Sequence, residues 1–307
     1  MLTGECICAL QSGERGTIKP KANFDADQDA AALKKAIEGL GTNEKIVIEI
    51  LTTRSSAQRQ LICKAYEKAT SRTLVKDLKG DTSGDFEELL VALITPPAEY
   101  DCHEVMRAMK VTFLNEFCLE HHLSYLTSPE TKKQLTAALE SEVSGDYSKA
   151  LLLLALGKRD ESTTVDVNKA REDAKALYNA GEKKWGTDEA KFIEILCKKS
   201  IPHLRQTLIE YKNISGKTLQ QSIEGEMSGD LENLLVAVVK CVKSVPGYFA
   251  ELLHESMKGG GTDESTLNRI MVSRSEIDLL DIRAEFKKLY EHSLLSAIQV
   301  RNWIFNF

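Results

Sequence analysis

Apolar residues along this chain recur at helical spacing. Ile46 and Ile50, Leu61 and Ala65, and Ile282, Phe286 and Leu289 fall three or four positions apart, which places each set on one face of an α-helix. No stretch of sustained apolar and polar alternation argues for a sheet. Shorter runs are almost wholly apolar and follow one tripeptide. Ser83-Gly84-Asp85 precedes Leu89-Leu90-Val91-Ala92-Leu93, Ser144-Gly145-Asp146 precedes Leu151-Leu152-Leu153-Leu154, and Ser228-Gly229-Asp230 precedes Leu234-Leu235-Val236-Ala237-Val238. Small polar cap residues ahead of such a run predict a helix buried on most of its circumference. The longest apolar run, 150–156, has seven residues, far below the roughly 18 to 20 needed to cross a bilayer.

A second block precedes the first: Gly39-Leu40-Gly41-Thr42-Asn43-Glu44, Trp185-Gly186-Thr187-Asp188-Glu189, and Gly259-Gly260-Gly261-Thr262-Asp263-Glu264. Each glycine loop leads into a helical pattern. Ser55-x-x-Gln58 and Ser275-x-x-Asp278 read as capping boxes that start the next helix. The chain is therefore expected to be all-α, an array of repeats of about 70 to 75 residues with several short helices each. Gly41 to Gly186 spans 145 residues and Gly186 to Gly261 spans 75, so four repeats fit. The reading is an N-terminal tail at 1–23 and repeats at 24–95, 96–166, 167–243 and 244–307. The second is degenerate: after Met109-Lys110 the chain reads Val111-Thr112-Phe113 where a glycine loop belongs. The fourth ends without a Ser-Gly-Asp block, so its last helix is expected to be missing.

Length and charge narrow the function. A chain of 307 residues with 42% hydrophobic and 28% charged residues buries a core. Its 46 acidic and 40 basic residues give a net charge of −6, which opposes unaided binding to nucleic acid or to anionic lipid. Seven cysteines lack disulfide or zinc spacing, and residues 1–10 lack a basic start, so a cytoplasmic protein with reduced thiols is expected.

A glycine turn beside an acid can cradle phosphate, hold a cation or cap a helix. No segment supplies G-x-x-x-x-G-K-[ST]. Asp25, Asp27 and Asp29 imitate an EF-hand, yet Ala30 stands at the sharp-turn position and Ala36 where the bidentate glutamate belongs. The stronger pattern is that Asp81 lies 40 residues after Gly41 and Glu226 lies 40 after Gly186, each three positions before the glycine of a Ser-Gly-Asp block. A hard cation such as Ca2+ takes six to eight oxygens at roughly 2.3 to 2.6 Å, and glycines let a chain turn its carbonyls toward one point. A glycine C-cap beside an exposed acid explains one copy equally well. Two copies at one spacing favour the cation.

These loops, with Arg15-Gly16-Thr17, Ala57-Gln58-Arg59-Gln60, Lys158-Arg159-Asp160-Glu161-Ser162 and the segment 270–278, resemble the annexins over about 15–299. The resemblance implies a slightly curved disc of four five-helix repeats, whose convex face binds calcium and, through it, acidic phospholipid membranes. It implies a first site of Ile37, Gly39 and Gly41 oxygens with the Asp81 carboxylate, and another of Gly181, Lys184 and Gly186 with Glu226. Weaker metal candidates are Thr42 and Glu44, Thr187 and Glu189, and Lys79, Thr82 and Glu87. Met257, Gly259 and Gly261 form a further loop, but Arg301 stands where its carboxylate belongs, so that loop is expected to be empty or weak. Glu142 has no loop to serve. Asp101, Glu104 and Arg274 correspond to a polar centre, and Trp185 is expected at the lipid interface.

The resemblance also implies a membrane-associated regulatory or scaffolding role, with masking of phospholipase A2 substrate, on the cytosolic face of plasma or vesicle membranes. No H-E-x-x-H or G-x-S-x-G occurs, and no enzyme is expected. The rival reading is a protein-interaction scaffold with weak or absent calcium-dependent lipid binding, in which the tail recruits a protein partner. No nucleic-acid partner is expected.

Overall fold

The computed structural model describes residues 15–38, 41–110, 136–137, 140, 143–183 and 186–304. Among them every regular element is an α-helix, sixteen in all. In the first repeat these are α1 (Ala26–Ile37), α2 (Glu44–Thr53), α3 (Ser56–Thr70), α4 (Leu74–Asp81) and α5 (Gly84–Ile94). Then come α6 (Pro97–Lys110) and α7 (Gly145–Ala155). The third repeat supplies α8 (Val167–Ala180), α9 (Glu189–Lys198), α10 (Ile201–Ser215), α11 (Leu219–Glu226) and α12 (Asp230–Lys243). The fourth supplies α13 (Val245–Ser256), α14 (Glu264–Arg274), α15 (Leu279–Tyr290) and α16 (Leu294–Ile304).

Most starts are set by short polar side chains. Asp25 accepts from the Gln28 amide and so caps α1; the EF-hand likeness ends there, because Asp29 is held by Arg54 instead. Ser55 and Gln58 form the expected capping box. Two expectations fail. Ser83 and Ser144 make no capping hydrogen bond. The tripeptide works through its glycine, with Gly84, Gly145 and Gly229 at φ of +63°, +72° and +76°, the left-handed turn that glycine adopts without strain. Ser275 and Asp278 form no capping box either: the Asp278 carboxylate binds the Arg274 guanidinium at 2.8 and 2.7 Å. The main chain serves α15 in its place, since the Leu280 amide donates to the Arg15 carbonyl at 2.9 Å.

The helices assort into two compact units, one of residues 1–100 with 249–307 and the other of 101–248. In the first, the core under α1–α5 includes Leu33, Val47, Leu51, Ile62, Tyr66 and Leu78, all fully buried. Each such side chain contributes about 1.5 to 3 kcal/mol on burial. The helix after the first Ser-Gly-Asp block is buried as expected, through Leu90, Ala92, Leu93 and Ile94. α14 packs on α5, and Val272 joins the first repeat's core. Residues 15–21 strap the two ends of the chain together. Thr17 and Ile18 amides donate to the Ser275 carbonyl, the Lys21 amide donates to Gln58, and Glu276 accepts from Ser56 and Arg59.

In the second unit α8 packs on α10, and α7 lies against α9 and α12. Leu177, Leu196, Leu204, Tyr211, Ile223 and Leu235 fill its core. Of the polar-centre candidates, Arg274 sits over the Phe249 ring at 4.8 Å beside Asp278 in the first unit, while Glu104 pairs with Arg107 at 2.9 Å in the second. Glu142 and the cysteines at 6, 8 and 118 lie outside the described residues.

Candidate metal centre

The first glycine loop leaves α1 at Ile37, which is buried, and re-enters helix at Glu44. The Asn43 amide donates to the Ala36 carbonyl at 2.8 Å and closes the loop at its base. Gly41 has a φ of +93°, and a Cβ there would meet nothing within 4 Å, so the loop is open to solvent on that side. Asp81, the last residue of α4, is exposed. Among the described residues, the Thr42 hydroxyl links it to the loop, donating to the Asp81 carbonyl oxygen at 3.5 Å.

The third repeat builds the same arrangement. The Asp188 amide donates to the Ala180 carbonyl at 2.9 Å. Gly186 has a φ of +83° with nothing within 4 Å of a Cβ. Glu226 ends α11 and is exposed, and the Thr187 hydroxyl donates to its carbonyl oxygen at 3.0 Å. Gly181, buried at the C-cap of α8, lies against Phe192, whose ring a Cβ would approach to 3.2 Å. Gly39, Lys184 and Trp185 lie outside the described residues.

A second tie, which the sequence reading missed, fixes each loop to the turn before the acid-bearing helix. Glu182 accepts from Lys217 at 2.9 Å and from Ser222 at 2.8 Å. The Lys217 hydrogen bond, seconded by Ser222, holds the Glu182 carboxyl below its usual pKa. In the first repeat Arg72 lies 3.8 Å from Glu38 and 3.2 Å from Asp77. Positions 72 and 217 are separated by the same 145 residues as the loop glycines, and that repeated basic residue was the available signal.

These residues suit a hard divalent cation. Among the described residues, the Asp81 and Glu226 carboxylates make no hydrogen bond or ion pair, and the carbonyls of Ile37, Gly41, Gly181 and Gly186 accept none. Both acids stand at the C-terminal end of a helix, where the macrodipole disfavours negative charge by about 0.3 to 1 kcal/mol and a bound cation removes that cost. No group of three or more His, Cys, Asp or Glu side chains converges among the described residues, so main-chain oxygens supply most of this donor set. Of the weaker candidates, Glu44 and Lys79 are exposed and Glu87 and Glu189 half-buried. The Thr82 hydroxyl turns back to the Leu78 carbonyl at 2.8 Å.

The loop of the fourth repeat differs. Met257 is buried, Gly259 has a φ of +92°, and the Asp263 amide closes the base on the Ser256 carbonyl at 2.7 Å. Gly261 is exposed. α16, however, continues to Ile304, where α4 and α11 stop at the acid. The reason is local: Asp81 and Glu226 are followed within three residues by a left-handed glycine, whereas Arg301 is followed by Asn302-Trp303-Ile304. The Thr262 hydroxyl is left buried without a hydrogen-bond partner among the described residues.

The annexin family model matches residues 28–93, 172–238 and 248–301. Annexin A3 of Mus musculus is 54% identical over 304 residues, covering 95% of this chain and 94% of its own. Annexin A4 of Homo sapiens is 46% identical over 295 residues, covering 92% of each. Among solved structures, annexin III superposes with a TM-score of 0.86 at 53% identity, covering 94% of this chain and 92% of that one. Calcium-bound annexin (Sm)1 gives 0.78 at 33% identity, covering 93% and 89%. The resemblance to the annexins carried by the loop segments agrees with these relatives. With more than half its residues identical to such a relative along nearly its whole length, the chain belongs to the annexin family.

Proposed function

We propose that this chain binds acidic phospholipid membranes through calcium held in the first and third loops. The carrying observation is the duplicated arrangement of an open glycine turn tied to a helix end whose carboxylate is otherwise unengaged among the described residues. Ile37, Gly39 and Gly41 with Asp81, and Gly181, Lys184 and Gly186 with Glu226, would hold the ion. Calcium, when bound, offers coordination positions that lipid phosphate oxygens fill, which reconciles a chain of net charge −6 with an anionic surface. The residues themselves hold the loop open, neutralise part of the ion's charge and fix the separation between carbonyls and carboxylate. Calcium-bound annexin (Sm)1, a relative of the same fold, supports the choice of ion. Membrane masking of phospholipase substrate and a cytosolic location follow from the same reading, with binding rather than turnover as the activity.

Co-sedimentation with phosphatidylserine vesicles, with and without chelator, tests it. Asp81→Asn or Glu226→Gln should each weaken calcium-dependent pelleting, and the double variant should abolish it. Pelleting of the double variant at the parent's level would show that the ligands are others.

A further inference from the structure

The candidate ligands come from segments far apart in sequence, and their separation must be fixed by something other than the ion. α4 and α11 have eight residues each, and the ends of such short helices fray unless their last carbonyls find partners. The two bonds that reach those ends from the glycine loops are the Thr42 hydroxyl on the Asp81 carbonyl at 3.5 Å and the Thr187 hydroxyl on the Glu226 carbonyl at 3.0 Å. Both span 39 residues, and both grip the main chain of the residue whose side chain is the candidate ligand. Thr262 occupies the same place after Gly261, but its hydroxyl is buried without a partner among the described residues, and α16 runs on through position 301. The bond is present where an acid ends the helix and is missing where arginine stands.

We infer that Thr42 and Thr187 are positioning residues. Each hydroxyl clamps the acid-bearing helix end to the glycine loop before any ion arrives, so that calcium meets a preorganised site. This deepens the calcium reading and rests on it.

Thr187→Val removes the hydroxyl at nearly constant volume, and Thr187→Ser keeps it. In the full chain, Thr187→Val should raise the calcium concentration for half-maximal pelleting with phosphatidylserine vesicles by about 3- to 10-fold, the fold-change that a hydrogen bond's net contribution gives. Thr187→Ser should return it to within about twofold of the parent. Thr42→Val should act in the same direction and less, its bond being longer. In chelator, the Met227 amide, which donates to the Ile223 carbonyl at 3.0 Å, should exchange hydrogen faster in Thr187→Val and at the parent rate in Thr187→Ser. Thr262→Val should leave the calcium midpoint unchanged. If the parent pellets with calcium and Thr187→Val keeps the parent midpoint, the clamp is overturned while the calcium reading stands. A parent that does not pellet with calcium overturns both.

Discussion

Gly16 shows how much one missing atom decides. A Cβ there would stand 2.4 Å from the Glu276 carbonyl carbon and 2.6 Å from its oxygen. The obstacle is backbone, which cannot swing aside as a side chain does. Gly16→Ala should therefore lower the stability of the first unit by about 1 to 3 kcal/mol, read as a lower urea midpoint, and an unchanged midpoint would show that the strap yields freely. Glu182 ties the third loop to Lys217 and Ser222 through its charge. Its carboxyl is held below the ordinary value by Lys217 and Ser222, so the unfolded chain takes up the proton more readily. The contribution is thus present above the unfolded pKa of about 4.3 and lost as pH falls through the lower folded value. The stability gap between the parent and Glu182→Gln should shrink as pH drops below that point in denaturant titrations. A gap that stays constant down to pH 3 would mean that the charge of Glu182 contributes nothing to the tie.

At the scale of the element, helix type and core face were legible because apolar spacing of three and four residues leaves no other solution. Helix ends were legible only where one residue type carries the geometry. Gly216 ends α10 in the left-handed region at φ +75°, and the sequence marks it; Ser71 and Glu291 end α3 and α15 in the same conformation at +58° and +63°, and nothing in their identity says so. The Ser275 box misled for a different reason. Its aspartate was claimed by an arginine four residues earlier and its helix by a carbonyl from residue 15, and a distant carbonyl leaves no trace in a local motif. The positions 54, 199 and 274 repeat at the spacing of the loop glycines, yet Arg54 takes Asp29, Lys199 takes Asp173 and Arg274 takes Asp278. The base was readable in sequence and its acid was not. For the candidate site, the glycines and acids stand out by their interval of 40, whereas the bonds from the Thr42 and Thr187 hydroxyls to the helix ends leave no mark in the sequence.

Across the whole molecule, the two glycine loops that have an acid 40 residues on lie one in each unit. On the proposed function each loop forms one weak bridge, and two such bridges on one chain would reinforce each other through effective concentration. As phosphatidylserine is diluted with neutral lipid at fixed calcium, pelleting of the parent should fall more steeply than the phosphatidylserine fraction, and that of Asp81→Asn or Glu226→Gln in simple proportion. Equal slopes would mean that the loops act separately. The strap at 15–21 has an effect of another kind. It joins a unit whose parts are the beginning and the far end of the chain, with 101–248 inserted between them. During synthesis at roughly 5 to 20 residues per second, the inserted unit has all its helices while residues beyond 248 are still to be made. The first repeat must wait with Thr17, Ser56 and Arg59 short of their partners Ser275 and Glu276. The inserted unit is thus the first to be complete, and the two segments of the other unit close on each other as the last act of folding.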